Sequence, residues 1–189
     1  ALRGDPPPGE GGIGGVYAPR EDGYANATEL TRALRAVAPF EVLVGVYPEK
    51  HPESPSLEHD IDVLKAKIDA GATLGVSQFF FDIDAFLRFV DKVRAAGITI
   101  PILPGIMPVT SFAAIRRMSG NTEIPGWMEA MFEGLDDRPG PRALVSAVVA
   151  ADLCRRLYEG GSRDFHFYTL NRADQAYAVC HLLDRKSVV

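Results

Sequence analysis

Residues 42–47 read VLVGVY, and residues 73–80 read TLGVSQFF. Apolar residues fill nearly every position of both runs, a pattern typical of parallel strands that are buried on both faces. Residues 57–70 lie between the runs and carry apolar residues at helical spacing, namely Leu57, Ile61, Leu64 and Ile68. The order strand, helix, strand predicts a βαβ unit and therefore a parallel sheet.

The same alternation extends along the rest of the chain. Residues 26–37 predict a helix with Asn26 as its N-cap. The later segments predict a helix over 83–96, a strand over 98–103, a short helix over 111–119, a long helix over 141–159, a strand over 164–170 and a helix over 172–183. Ala1 to Asp5 resembles the end of one more strand. With no linker in sight, residues 1–189 are expected to form a single, partial domain whose first strands lie upstream.

The composition excludes several classes of protein. Apolar residues make up 47% and charged residues 24% of the 189 residues, as in soluble globular proteins rather than disordered chains. A net charge of −5 argues against nucleic acid or an anionic membrane as a partner. Cys154 and Cys180 are too few for a disulfide framework, which fits a reducing, cytoplasmic location.

Polar and constrained residues gather where the predicted strands end. Asp5 closes the first strand, residues 47–51 follow the second, Gln78 lies within the third, Pro104 closes the fourth and Arg172 follows the fifth. In a closed (βα)8 barrel these strand ends form the active-site face. An open doubly wound sheet instead binds ligands at a switch point. We favour the α/β (βα)8 TIM barrel, of which this chain would supply roughly the last five strands.

Each candidate taken alone has a plainer interpretation. Asp5 would serve equally as a loop carboxylate, Gln78 as a hydrogen-bonded core amide, and Arg172 as a surface ion-pair partner. His51 has no Cys or carboxylate at metal-ligand spacing, so no metal site is expected. The glycines in residues 9–15 open no helix that carries Lys-Ser/Thr, so a phosphate loop is not expected either.

Seven segments, in order along nearly the whole chain, carry a family pattern. They are LRGDPP (2–7), YPEKHPE (47–53), LKAKIDAGA (64–72), QFFFD (78–82), PGIMP (104–108), IP (124–125) and FHFYTLNR (165–172). Together they resemble the methylenetetrahydrofolate reductase family of bacterial type. The resemblance implies a TIM barrel that binds FAD. It also implies hydride transfer from NADH or NADPH through the flavin to 5,10-methylenetetrahydrofolate, giving the 5-methyl product that feeds methionine synthesis.

The resemblance also implies roles for particular residues. The FAD contacts would be Arg3, Gly4, Asp5, Ala25, Tyr47, His51, Ser54, Asp60 and Lys67. The family often has Ala where Ser54 stands, so Ser54 is carried over as a backbone or small-residue contact. Asp5 would also meet the pterin and act electrostatically in catalysis, Gln78 would contact both folate and nicotinamide, and Arg172 would hold the folate tail.

Two features depart from the family pattern. Ala114 and Met118 stand where bacterial relatives place a Gln and a Phe, so those contacts are not carried over. The proton-donating glutamate of the family lies on the first strand, which is expected upstream of Ala1, so the fragment alone is expected to be inactive.

The expected partners are small-molecule substrates and further copies of the chain in a homo-oligomer, with no nucleic acid and no membrane. The chief rival is a non-catalytic FAD- or folate-binding fragment or pseudoenzyme with the same fold. A different barrel enzyme that binds phosphate near its last two strands is a further alternative. The loops after residues 105 and 170 lack the Gly-rich sequence that such a site uses.

Overall fold

Helices and strands alternate along the chain in the computed structural model, which describes residues 1–4, 17–118 and 122–184. The elements are α1 (Ala27–Val37), β1 (Leu43–Val46), α2 (Leu57–Asp69), β2 (Leu74–Phe79), α3 (Ile83–Ala95), β3 (Ile102–Ile106), α4 (Phe112–Met118), α5 (Gly126–Phe132), α6 (Pro139–Glu159), β4 (His166–Phe167) and α7 (Ala173–Asp184). Asp5 and the glycines of residues 9–15 lie outside the described residues.

The described strands form one sheet in the order β1-β2-β3-β4. β1 and β2 pair in parallel, from Leu43 opposite Leu74 to Val46 opposite Ser77. β3 and β4 also pair in parallel, with Ile106 opposite Phe167. Parallel strands joined by helices confirm the predicted α/β class, and the order of elements is that of part of a TIM barrel.

The chain divides into two compact units, each with its own apolar core. The first unit comprises Ala1–Gln78 and Arg88–Leu103, and the second comprises Phe79–Leu87 and Pro104–Val189. The core of the first unit includes Val44, Val46, Ile61, Leu64, Phe89 and Val93. That of the second includes Phe79, Phe81, Met107, Ile115, Met128, Phe132 and Val149. The expectation of a single, partial domain stays a prediction.

The predicted helices of the first unit begin where their capping residues stand. Asn26 Oδ1 accepts a hydrogen bond of 3.0 Å from the backbone N–H of Glu29 at the start of α1. Ser56 Oγ does the same at 3.2 Å for His59 in α2. α2 ends before Gly71, whose φ of 110° lies in the left-handed region. A Cβ there would lie 2.5 Å from the Arg35 side chain, so this site suits glycine alone.

The strand predicted over residues 98–103 is wrong in position, because β3 runs over Ile102–Ile106. The Arg94 guanidinium donates hydrogen bonds to the carbonyl oxygens of Ile98 and Ile100, at 2.8 and 3.0 Å. These bonds hold the residues between α3 and β3 as a loop rather than as part of the strand. Tyr168 N donates to Ile106 O at 2.8 Å, so the even-numbered residues of β3 direct their backbone groups towards β4. Pairing with β4 begins at Gly105. Pro104 has no backbone N–H, but it lies before this pairing, so the sheet loses no hydrogen bond there.

Three further predictions differ from the structure. β4 comprises His166–Phe167 rather than residues 164–170, and the left-handed φ angles of Leu170 and Asn171, 49° and 60°, exclude the end of the predicted range from a strand. α5 was not predicted as an element. Residues 1–4 form no strand, although the amino group of Ala1 donates to the carbonyl oxygen of Leu43 in β1.

Candidate functional site

A cavity of about 360 Å³ lies in the first unit, beside the carboxyl end of β1. Its walls come from residues 1–4, the start of α1, the last residues of β1, the loop between β1 and α2, and one face of α2. Loops at the carboxyl ends of parallel strands are where α/β proteins commonly bind ligands. The cavity is therefore the candidate functional site.

Seven of the residues that the resemblance assigned to FAD line this single cavity. They are Arg3, Gly4, Tyr47, His51, Ser54, Asp60 and Lys67. Ala25 is half-buried and directly precedes the wall residue Asn26, and its backbone N–H donates to Glu29 Oε2 at 2.9 Å. The remaining residue of the predicted set, Asp5, lies outside the described residues.

One face of α2 brings an ammonium group to the cavity. Asp60, Val63 and Lys67 are three and seven residues apart, which places them on the same side of the helix. Lys67 Nζ donates a hydrogen bond of 2.8 Å to the carbonyl oxygen of Gly45 in β1. Burial lowers the pKa of Lys67, and the Asp60 carboxylate opposes this shift. The ammonium has three donors, so it can bind an anionic ligand while keeping its bond to Gly45.

His51 is held in the loop between β1 and α2 as a neutral imidazole. Its backbone N–H donates to Asp60 Oδ2 at 2.8 Å, and its Nδ1 accepts from the backbone N–H of Glu53 at 3.1 Å. The ring of Tyr47 meets the imidazole edge-on, with centroids 4.5 Å apart. Burial lowers the pKa of His51 below 6.5, although the nearby carboxylates of Glu53 and Asp60 act to raise it. With Nδ1 accepting, the proton lies on Nε2, which is left as a donor.

Lys50 braces the same loop from within. Its φ of 80° turns the chain sharply, and its Nζ donates to the carbonyl oxygens of His51 and Ser54, at 3.2 and 2.5 Å. The backbone N–H of Ser54 donates to His51 O at 3.0 Å. These bonds fix the backbone of Ser54 at the cavity wall. Lys50 was not among the predicted site residues.

Two further residues that sequence reasoning missed surround the Arg3 side chain. Glu53 pairs with its guanidinium in a bidentate contact, and the Tyr17 ring lies against it with 4.7 Å between Cζ and the ring centroid. Glu53 belongs to the YPEKHPE segment that carries the family resemblance, but nothing in the sequence links it to a residue 50 positions away. Tyr17 has no sequence signal at all.

Gln78 and Arg172 are not among the residues that line the cavity of the first unit. Gln78 lies in β2 and is half-buried between the buried Ser77 and Phe79, so it is less enclosed than the core amide of the plainer interpretation would be. Arg172 belongs to the second unit and is exposed just before α7. Its backbone N–H donates to Thr169 O at 2.8 Å.

The described part of the chain contains no group of three or more His, Cys, Asp or Glu residues placed to hold a metal ion. Among the helices in the described ranges, none combines the length and the apolar character needed to cross a membrane.

Comparison with known proteins relates nearly the whole chain to one family. The family model for methylenetetrahydrofolate reductase matches residues 1–184. The 5,10-methylenetetrahydrofolate reductase of Escherichia coli (strain K12) is 46% identical over 185 residues, which cover 97% of this chain and 59% of that protein. Methylenetetrahydrofolate reductase (NADH) 1 of Zea mays is 35% identical, over 95% of this chain and 32% of that protein. The chain thus spans about three fifths of the length of the bacterial relative.

A solved structure shares the fold. It is that of an uncharacterized protein from Clostridium thermocellum that binds two copies of 5-methyl-5,6,7,8-tetrahydrofolic acid. The match has a TM-score of 0.56 at 16% sequence identity and covers 83% of this chain and 57% of the other. At this identity the likeness concerns the fold alone. The family model and the bacterial relative decide the assignment: this chain belongs to the methylenetetrahydrofolate reductase family.

Proposed function

We propose that the protein reduces 5,10-methylenetetrahydrofolate to 5-methyltetrahydrofolate, with NADH or NADPH as hydride donor, and that the cavity of the first unit holds FAD. One observation carries the proposal. Seven residues assigned to FAD from sequence alone, spread from position 3 to position 67, line the same cavity. The names of the relatives support the reaction.

The cavity walls fit an anionic group that carries a flat ring system. Lys67 supplies a cation, and Asn26 and Ala27 bring the N-terminal end of α1, where backbone N–H groups favour phosphate oxygens. Leu2, which is 73% exposed, and the half-buried Tyr47 provide apolar and aromatic surface. Together they supply both kinds of contact that FAD requires.

The residues of the wall would bind and orient the cofactor. Lys67 and the start of α1 would hold the diphosphate, and the backbone of Gly4, in a left-handed conformation with φ of 79°, would approach the ligand closely. Asp60 keeps the His51 backbone in place, and the Nε2–H of the neutral imidazole is available as a donor. FAD, when bound, supplies the two-electron chemistry that the side chains lack.

The substrate contacts are proposed from the family resemblance. The amide of Gln78 offers both a donor and an acceptor, so it could serve folate and nicotinamide in turn. Arg172 offers a guanidinium, which grips the carboxylates of a folate tail in bidentate fashion. Asp5 would stabilise positive charge on the folate as it accepts hydride. The wider proposal includes cytoplasmic one-carbon metabolism that feeds methionine synthesis, and assembly into a homo-oligomer.

Anaerobic half-reactions of the full-length protein, purified and loaded with FAD, test the proposed function. NADH or NADPH should bleach the flavin absorbance, and subsequent 5,10-methylenetetrahydrofolate should restore it. A protein that binds FAD but shows neither change would be the non-catalytic alternative. A protein that binds no FAD would refute the proposal.

A further inference from the structure

The Arg3 side chain is occupied on two sides by other protein groups. Nη1 lies 2.7 Å from Glu53 Oε2 and Nη2 lies 3.0 Å from Glu53 Oε1, a bidentate geometry that is the stronger form of this pair. The Tyr17 ring lies against the same guanidinium, within the range of a cation–π contact. The Arg3 side chain is only 24% exposed, so the pair is less screened by water than a fully exposed one.

These contacts join three separate segments that form or lead directly into the cavity wall. Arg3 itself precedes Gly4 in the opening segment. Tyr17 O–H donates to the carbonyl oxygen of Tyr24 at 3.4 Å, directly before Ala25. The backbone N–H of Glu53 donates to His51 Nδ1 at 3.1 Å. Each segment therefore carries one of the predicted FAD contacts, namely Gly4, Ala25 and His51.

A guanidinium held in this way has a structural task. Glu53 engages two of its five N–H donors and the Tyr17 ring covers one of its faces, so the guanidinium ties neighbouring segments together. Holding three wall segments in register before a ligand arrives reduces the ordering that binding must impose. The loss of such a contact is expected to appear mainly as faster ligand dissociation.

We infer that Glu53 and Tyr17 are positioning residues of the proposed FAD site, which act by holding Arg3 as the junction of three wall segments. The inference rests on the proposed function, because the contacts with Arg3 are inferred to slow the dissociation of FAD. Neither residue is proposed to touch FAD.

The test measures FAD dissociation from the purified holoprotein, by recovery of flavin fluorescence after dilution. Glu53→Gln keeps the shape but removes the charge, and should raise the dissociation rate about tenfold, while the association rate changes much less. Tyr17→Leu should also speed release. Tyr17→Phe keeps the ring against Arg3 but loses the bond to Tyr24 O, so its release rate should fall between those of wild type and Tyr17→Leu. Glu58→Gln is the matched control, since it breaks the exposed 3.1 Å pair between Glu58 of α2 and Lys92 of α3, neither of which lines the cavity.

The outcomes separate this inference from the proposed function. Wild-type dissociation in Glu53→Gln, or equally fast release in Glu58→Gln, would overturn the inference and leave the FAD site standing. A wild-type protein that binds no FAD would overturn both. If Glu53→Gln folds poorly, the exchanged pair Arg3→Glu with Glu53→Arg decides. It should recover part of the lost residence time relative to Arg3→Glu alone, and no recovery would count against the inference.

Discussion

Lys67, in the last turn of α2, donates a hydrogen bond of 2.8 Å from Nζ to the carbonyl oxygen of Gly45 in β1. The contact fastens the helix to the strand at the cavity wall and places an ammonium group beside the proposed ligand. Burial disfavours its charge, so the pKa of Lys67 is lowered from 10.5. An anion bound nearby would offset that cost, which links Lys67 to FAD binding.

FAD affinity should therefore weaken as the pH rises, and the loss should begin at a lower pH than it would for a lysine with the ordinary pKa of 10.5. As the pH rises through the lowered pKa of Lys67, the ammonium loses its proton and its attraction for the diphosphate. Equilibrium titrations with FAD across the alkaline range measure this. Lys67→Met should remove the inflection, whereas Lys65→Met, an exposed lysine of the same helix, should keep it. Superimposable profiles for wild type and Lys67→Met would contradict the assignment.

His51 should make the protein less stable on mild acidification. Its folded pKa lies below 6.5, so between that pKa and 6.5 the unfolded chain binds a proton that the folded chain does not. Stability is thus lost as the pH falls from about 6.5 towards the folded pKa. Urea unfolding at a series of pH values should show this slope in wild type and in His181→Gln. His51→Gln should flatten it, and an unchanged slope in that variant would count against the buried, neutral imidazole.

Leu64→Ala should destabilise the first unit strongly, because Leu64 is 2% exposed in its core. Removing a buried leucine side chain typically costs about 2–5 kcal/mol. Leu144→Ala makes the same chemical change at a position that is 72% exposed, where the effect should stay within about 0.5 kcal/mol. Urea unfolding of both variants measures the difference. Equal losses would show that α2 does not pack as described.

Arg172→Lys should raise the KM for the folate substrate about tenfold, since lysine cannot reproduce a bidentate grip on a carboxylate. Reduction of the flavin by NADH should be unaffected. Steady-state and half-reaction kinetics with each substrate separate the two effects. Loss of FAD from this variant would show that Arg172 has been given the wrong place in the site.

Much of the fold followed from local patterns in the sequence. The apolar spacing of α2 and the capping residue Asn26 of α1 placed two helices almost to the residue, because helix ends depend on nearby groups. The position of β3 could not be read in this way. Its end depends on pairing with β4, which is distant in the sequence. The Arg94 side-chain bonds before its start are local, but they leave no mark on the apolar pattern from which the strand was predicted.

The candidate site shows the same division. Family resemblance named Lys67, Asp60 and His51, which the structure brings into one cavity. It did not name Glu53 or Tyr17, whose contacts with Arg3 join residues far apart in the sequence and depend on the folded chain. Gln78 is only half-buried although Val76 on the same face of β2 is buried, and the apolar run alone did not reveal this difference.

Equilibrium binding of FAD at neutral pH tests the central claim most directly, which is that the cavity of the first unit holds the flavin. Purified wild-type protein, Lys67→Met and Lys65→Met would each be stripped of cofactor and titrated with FAD, with flavin fluorescence as the signal. Wild type and Lys65→Met should bind one FAD per chain with the same Kd, and Lys67→Met should bind at least about tenfold more weakly because a partly buried cation has been removed. A wild-type protein that binds no FAD, or a Lys67→Met protein that binds it as tightly as wild type, would contradict the account.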